Sequence, residues 1–448
     1  MEFQAFQQHV AEYARQAGVE DYELYYQSAE GTQVSTYRQE VNEFSSTVEG
    51  GVCLRCIAGG RMGYASTEEL SREAARELVR RAVDNAAVLE SDEPAFLGQG
   101  GQSYQDFTPA AVGGCSAGEL IQAALDTQAA LYAAHPSVVD GASTQALWER
   151  DRIAIVNSRG LDLHYENTVS ALVAAAVVAE AGEMTDAYEM KLGAVDQLDK
   201  KALAERAVEK ARAKLGGDAA PTGMWPVVFA PEAMASLLAT FSPVFSSDQA
   251  QKGLSRLAGK EGEHIASAAV TLVDDPFCPL SAMPIPFDAE GTPARKKNVV
   301  EGGRLNTLLY NHRTAAAAGK ETTGNAAKAG YAAPVEVAPF AFYLAPGEQD
   351  EAALLRQAGR GVYIDSLAGL HAGANVVSGD FSLQSAGFLI EDGVKTTPVK
   401  AFTVAGNFYE LLQKVTAVAG NLDVPNPGGI TCFGSPSVLV DGLSIAGK

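Results

Sequence analysis

Apolar residues recur at helical spacing through the first eighteen positions. Phe3, Phe6, Val10, Tyr13, Ala14 and Ala17 fall on one face, and Gly18 is placed to stop the helix. The period then shortens to two. Tyr22–Ala29, Thr32–Arg38, Val41–Val48, Val52–Ala58 and Met62–Ser66 read as five strands, with turns expected at Gly31, Gly50-Gly51 and Gly59-Gly60. From Ser71 to Ala87 the helical period returns, with Ala75, Leu78, Val79, Ala82, Val83 and Ala86 on one face. Helix, strands and helix together predict a layered α+β unit.

The stretch from Ser91 to Gly114 has no period and is rich in Gly, Gln, Pro and Asp, which reads as a linker or surface excursion. A second unit follows. It has a helix over Ala117–Ala134, strands from Val138 to Leu192 and an amphipathic helix over Leu203–Leu215 that stops at Gly216-Gly217. Asn157-Ser158-Arg159-Gly160 sits between two of these strands as a hairpin-type turn, since Asn and Gly tolerate positive φ. The texture changes after Asp218–Gly223. A strand over Pro226–Ala230 leads into a helix from Pro231, a favoured first-turn proline. Asp274–Thr292 is loop-rich, and Gly361–Gly447 alternates short strands with turns and one helix near Phe408–Val418. The expected fold is α+β, with N-terminal helix and antiparallel-sheet layers and a larger, loop-rich, mixed-β C-terminal domain. The expected boundaries are 1–90, 115–217 (able to merge with the first) and 224–448.

Charge narrows the partners. The 448 residues carry a formal net charge of -21, whereas nucleic-acid binding requires a basic surface. The same acidity repels anionic membranes, and the longest apolar run, Ala171–Ala179, is too short to span a bilayer. The opening Met1-Glu2-Phe3-Gln4 lacks the basic and apolar segments of a secretory leader, and the five Cys are odd in number and scattered. A cytoplasmic location is expected, with neither nucleic acid nor membrane as partner.

The candidate chemistry is sparse. Cys53 and Cys56 have C-x-x-C spacing but fall mid-strand, where alternation turns them to opposite faces, so they read as core thiols. None of the six His is spaced for a helical metal pair. No nucleophile elbow and no phosphate loop is present. Asp274-Asp275 and the pair Asp288 and Glu290 could hold a cation in a loop, but read first as solvated turn residues. One segment collects convergent polar groups among small residues: Gly369 to Leu383, with His371, Asn375, Ser378 and Asp380. These four are candidates to line a cleft. On the residues alone, a tight hairpin capped by Asn and Asp explains them equally well.

Taken in order, several stretches resemble the TldD/PmbA family over the whole C-terminal half. They are Pro226–Ala230, Pro286-Phe287-Asp288-Ala289-Glu290-Gly291-Thr292-Pro293, Thr322-Thr323-Gly324-Asn325-Ala326, the Gly369–Leu383 loop, Gly387–Gly393 with Pro398-Val399, and Ile430–Ser435. Gly51–Ser66 and the Asn157–Gly160 turn agree more weakly. In the TldD half of the family the helix after the first of these strands carries H-E-x-x-x-H, which holds zinc together with a C-terminal Cys. Here that helix begins Pro231-Glu232-Ala233-Met234-Ala235-Ser236, so both His positions hold non-ligands. Glu232 stands where the general base would be and Cys432 near the third ligand, as remnants. The resemblance therefore implies a chain of PmbA (TldE) type without a zinc site or cofactor of its own, with zinc expected in a TldD-like partner. A homodimer is the other assembly implied, and unfolded or short peptides are the implied substrates. Two alternatives stand beside this reading: a self-sufficient hydrolase using His264, His371, Cys432 and Glu232, and a peptide-binding module without peptidase chemistry.

Overall fold

The computed structural model describes residues 1–88, 95–105, 114–281, 284–428 and 431–447. The N-terminal half is one antiparallel sheet with helices on one side. Its strands are β1 (Asp21–Tyr37), β2 (Glu40–Ala58), β3 (Arg61–Thr67), β4 (Ser143–Asn157), β5 (Asp162–Glu180) and β6 (Glu183–Leu192), in the order β3-β2-β1-β4-β5-β6. Helices α1 (Phe3–Gln16) and α2 (Arg72–Val88) pack on one end of a single face, through Leu24, Leu54 and Ala65. Helices α3 (Ala117–Ala134) and α4 (Lys200–Ala213) pack on the other end, through Val34, Ala146 and Leu172. Leu24 and Val34 are ten positions apart on one strand, so alternation puts them on the same face.

The strands are longer than the glycine pattern predicts. Gly31 and Gly50-Gly51 do not turn the chain; they sit inside the β1–β2 ladder, opposite Thr47, Ser28 and Gln27. At Gly50 and Gly51 glycine serves close approach. A Cβ on Gly50 would lie 2.6 Å from the Gln27 carbonyl oxygen, and one on Gly51 would lie 2.5 Å from the Tyr331 ring. Gly59-Gly60 is a turn, with positive φ at both residues.

The C-terminal half begins with β7 (Gly223–Phe229), α5 (Pro231–Phe241) and α6 (Ser247–Gln251). Next come β8 (Leu272–Asp274), β9 (Lys297–Glu301), β10 (Arg304–Leu305), α7 (His312–Ala318), β11 (Ala326–Ala327), β12 (Glu336–Val337) and β13 (Ala341–Leu344). The chain closes with α8 (Glu351–Ala358), β14 (Gly361–Ala368), α9 (Leu370–Gly373), β15 (Asp380–Glu391), β16 (Val394–Asn407), α10 (Phe408–Gln413), β17 (Val415–Val418), β18 (Asp423–Gly428), β19 (Thr431–Ser435) and β20 (Val438–Ala446). Two six-stranded sheets result, β16-β15-β14-β7-β20-β17 and β10-β9-β8-β13-β19-β18. Each is mixed, because β14–β7 and β13–β19 run parallel. The α+β expectation holds. The expected helix over Phe408–Val418 ends at Gln413, and Val415, Ala417 and Val418 pair with β20 instead, two of them β-branched.

Helix α5 packs against strands of both sheets. Ala233, Met234, Ala235, Leu237, Leu238 and Phe241 are all fully buried, as a helix that is apolar all round requires. Among the described residues no helix is long and apolar enough to cross a membrane.

Residues 95–105 are exposed over much of their length but anchored into the fold. Leu97 is fully buried, and a Cβ on Gly98 would lie 2.5 Å from the Glu290 carbonyl oxygen. The Gly100 N–H donates to the Arg159 carbonyl at 3.2 Å, and the Tyr104 hydroxyl to the Gly291 carbonyl at 2.8 Å. The segment thus ties the Asn157–Gly160 turn to the Asp288–Gly291 loop. The rest of the expected linker, 91–94 and 106–113, lies outside the described residues.

Candidate functional site

The sheet face without helices meets the C-terminal half across a layer of buried charge. Glu23 and Arg55 are cross-strand partners on β1 and β2. The Arg55 guanidinium donates to Glu23 Oε1 through Nε at 3.0 Å and also through Nη2. Its Nη1 reaches Glu290 Oε1 at 3.5 Å. Burial opposes the Arg55 charge, but Glu23 and Glu290 outweigh it and raise its pKa. Glu23 Oε2 accepts from Asn157 Nδ2 at 3.2 Å, and Glu290 Oε2 from the His312 backbone N–H at 2.9 Å. Four side chains from four separate segments, with the His312 N–H, thus satisfy one another, the condition on which buried ions are tolerated.

The family-like loops form the C-terminal side of this layer. Asp288 Oδ1 accepts from the N–H groups of Glu290 and Thr292 at 2.9 Å each, and Oδ2 from Ala326 at 3.0 Å. Burial, and then the Glu290 charge, push the Asp288 pKa up to about 7 against these three N–H groups. Beside it, Asp274 Oδ2 accepts from Lys297 Nζ at 2.9 Å and Asn325 Nδ2 at 2.7 Å, and Asp274 Oδ1 from the Phe340 N–H at 2.8 Å. Asp275 pairs with Lys296 at 2.9 Å. Asp274, Asp275, Asp288 and Glu290 are therefore not solvated turn residues. All four are buried, because backbone N–H groups, lysines and arginine take up their lone pairs. His312 is also held here, stacked on Phe96 with ring centroids 3.7 Å apart, and burial lowers its pKa.

Two buried charges in this zone are less well served. The Lys328 ammonium donates to the Ala333 carbonyl and lies 5.2 Å over the Tyr25 ring, with burial lowering its pKa. Asp151, opposite Ala29 and Asn167 on the same sheet face, is 8% exposed, and its carboxylate has no hydrogen bond or ion pair among the described residues. Burial, and then Glu149, push its pKa up to about 6.

The Gly369–Leu383 segment is arranged differently. Gly369 takes a left-handed conformation, α9 makes one turn, and the Asn375 N–H donates to the Asp380 carbonyl at 2.8 Å to close the loop. Asn375 Oδ1 accepts from the N–H groups of Val377 and Ser378 at 3.1 and 3.0 Å. Gly379 has φ +82°, and a Cβ there would lie 2.5 Å from the Tyr409 ring. A cavity of about 320 Å³ opens beside the loop, lined by Gly253, Ser255, Arg256, Asn375, Val377 and Ser378. The Arg256 guanidinium lies 5.5 Å over the Tyr409 ring. Asp380 is exposed next to this lining, and the Asn407 amide, the Ser378 hydroxyl and Arg256 hold its carboxyl below the usual range. His371 is exposed on α9 and is not part of the lining. Sequence reasoning singled out Asn375 and Ser378 but not Arg256, which carries no motif and comes from the segment after α6.

The two remnants do not come together. Glu232, in the first turn of α5, accepts a hydrogen bond from the Tyr188 hydroxyl on β6. Cys432 is buried on β19 with Val273, Cys278, Ala341, Tyr343 and Val424, whereas its neighbour Phe433 packs in the core that contains α5. Alternation thus turns Cys432 to the sheet face away from α5. No hydrogen bond or ion pair joins any two of Glu232, His264, His371 and Cys432, and no three His, Cys, Asp or Glu are grouped to hold a metal, among the described residues. Cys53 and Cys56 lie in different apolar clusters on opposite faces of β2, both as free thiols. Ile430, part of a family-like stretch, lies outside the described residues.

Comparison with known proteins gives three consecutive family matches. Residues 22–86 match PmbA/TldA metallopeptidase domain 1, 115–215 the central domain and 222–447 the C-terminal domain. A curated relative named Metalloprotease PmbA, from Escherichia coli O157:H7, is 26% identical over 427 residues, covering 93% of this chain and 90% of the relative. Among solved structures, a protein of Thermotoga maritima described as a candidate modulator of a DNA gyrase superposes with TM-score 0.89 at 29% identity, over 99% of this chain and 100% of that one. TldE from Thermococcus kodakarensis superposes with TM-score 0.87 at 25% identity, over 98% of this chain and 100% of that one.

Proposed function

We propose a function from the premise that this chain belongs to the PmbA/TldD family and is of PmbA/TldE type. It serves as the subunit of a metallopeptidase system that does not itself hold zinc, and it completes the peptide-handling chamber for a TldD-like partner that does. The observation that carries this reading is the state of α5. Its zinc positions hold Pro231 and Ser236, its remaining carboxylate is engaged by Tyr188, and Cys432 sits on the far side of a sheet. Three protein ligands and an open position are the minimum for a catalytic zinc, and this arrangement supplies none of them together.

The proposed substrates are unfolded or short peptides, and the partner is a TldD-like chain or a second copy. Elemental analysis of the dialysed protein should find well under one zinc per chain. Mixed with a purified TldD-like chain, the protein should restore cleavage of an unstructured peptide that neither cleaves alone. The relatives named metalloproteases favour a second reading, in which this chain cleaves by itself. Chelator-sensitive cleavage by the pure chain, lost on Glu232→Gln, would establish that alternative and end the subunit reading.

A further inference from the structure

The 320 Å³ cavity has hydrogen-bond donors left over, at the lower end of the size range of ligand pockets. Among the described residues no side-chain hydrogen bond or ion pair engages the Arg256 guanidinium; only its backbone N–H is bonded, to the Tyr409 hydroxyl at 3.3 Å. Stacking on Tyr409 orients a planar fork whose N–H groups remain free. Asn375 is fixed by its oxygen, which takes two backbone N–H groups, so its Nδ2 is set by elimination and has no acceptor among the described residues.

The remaining lining polar groups are occupied. Ser255 Oγ donates to the Val244 carbonyl at 2.6 Å, and Ser378 Oγ accepts from the Asp380 N–H at 3.3 Å and bonds the Asp380 carboxylate. Among the lining side chains the groups left unbonded are donors, one of them a cation, and an anionic acceptor suits them best. Two features select among anions. Asp380 lies close enough to feel Arg256 and would repel a dianion more than a monoanion. Val377, 45% exposed in the lining, offers apolar contact to the group that carries the charge.

We propose that this cavity binds a monoanionic carboxylate, the free C-terminus of a short peptide, with Arg256 and Asn375 as the two donors. The preference for a carboxylate is read from the cavity and requires neither metal nor partner, whereas its identification as a peptide C-terminus rests on the proposed function. It is tested by titrating the full chain at low ionic strength, by ligand-observed NMR, with N-acetyl-tetraalanine, the C-terminal amide of the same peptide and inorganic phosphate. The free acid should bind about tenfold or more tightly than the amide, the order expected of a charge-assisted hydrogen bond. R256Q should abolish the difference, and so should N375D, which keeps the oxygen that holds the loop and replaces the free amino group. Equal binding of acid and amide would overturn the proposal, as would an unchanged R256Q. Displacement of the peptide by phosphate at equal concentration would overturn it too, by making the site one for inorganic anions.

Discussion

Two polar regions of this molecule use the same residue types to opposite ends. At the junction of the N-terminal sheet with the C-terminal half, Glu23, Arg55, Asp274, Asp288, Glu290 and Asn325 are buried and bonded to one another or to backbone N–H groups. At the Gly369–Leu383 loop, Arg256 and Asn375 are exposed and keep donors in reserve. Both regions contain family-like stretches, so a family-like motif does not by itself mark ligand chemistry. The carboxylates of the F-D-x-E-G stretch read in the sequence as solvated turn residues or a cation pair, and T-T-G-N only as a family-like stretch, yet the hydrogen-bonding capacity of both is spent on holding loops together. A saturated buried network fixes geometry, and only unspent groups are free to recognise something else.

The largest effect should come from breaking the saturated side. Arg55→Met removes the one cation shared by Glu23 and Glu290 and leaves two carboxylates buried without it. The expected loss is about 3–5 kcal/mol of unfolding free energy, read from urea denaturation near pH 7.5. A loss below about 1 kcal/mol would mean that water reaches these carboxylates and that the junction is no dry core.

The sequence revealed the elements better than the way they meet. Periodicity located α1, α2, α3, α4 and the strand before α5, because each buries one face or one whole surface in a regular pattern. It placed turns at Gly31 and Gly50-Gly51, and at the latter pair glycine admits a neighbouring carbonyl and the Tyr331 ring from the other half of the chain. That approach is a tertiary fact with no local signature. For the same reason Asp288 read as a solvated turn residue: its acceptors' partners include Ala326, 38 positions away. At the candidate site, the Gly369–Leu383 loop stood out through its small and polar residues. Arg256 did not, because its role comes from stacking on Tyr409, 153 positions distant.

An intermediate effect, of opposite sign, should come from Asp151, which is buried like the junction residues but whose carboxylate has no hydrogen bond or ion pair among the described residues. Its folded pKa of about 6 lies above the ordinary aspartate value of 3.8, so the folded chain holds the proton more tightly than the unfolded one. Its contribution to stability is fully present below about pH 4, declines as pH rises and is lost above about pH 6. Asp151→Asn removes that decline. The variant should be more stable than the native chain by about 1–3 kcal/mol at pH 8, and the gain should shrink toward pH 5. A destabilised variant at pH 8 would show that the carboxylate has a partner in solution and belongs with the saturated network.

The smallest effect is expected at the cavity, and its smallness is the point. Arg256 is exposed, pairs with no carboxylate within ion-pair distance among the described residues and touches the fold mainly by lying over the Tyr409 ring. Arg256→Gln should therefore change the unfolding free energy by no more than about 0.5 kcal/mol, the scale of ordinary surface substitutions. A residue retained for folding would not behave so: loss of its stacking and charge would appear as a clear shift in the denaturation midpoint. If Arg256→Gln costs more than about 1 kcal/mol, the guanidinium is bracing the loop against the segment after α6, and the contrast between a saturated joint and an unsaturated pocket collapses. If stability is untouched while carboxylate binding is lost, the same side-chain chemistry has been used once to hold the halves together and once to meet a ligand. The count of free donors is then what separates the two uses.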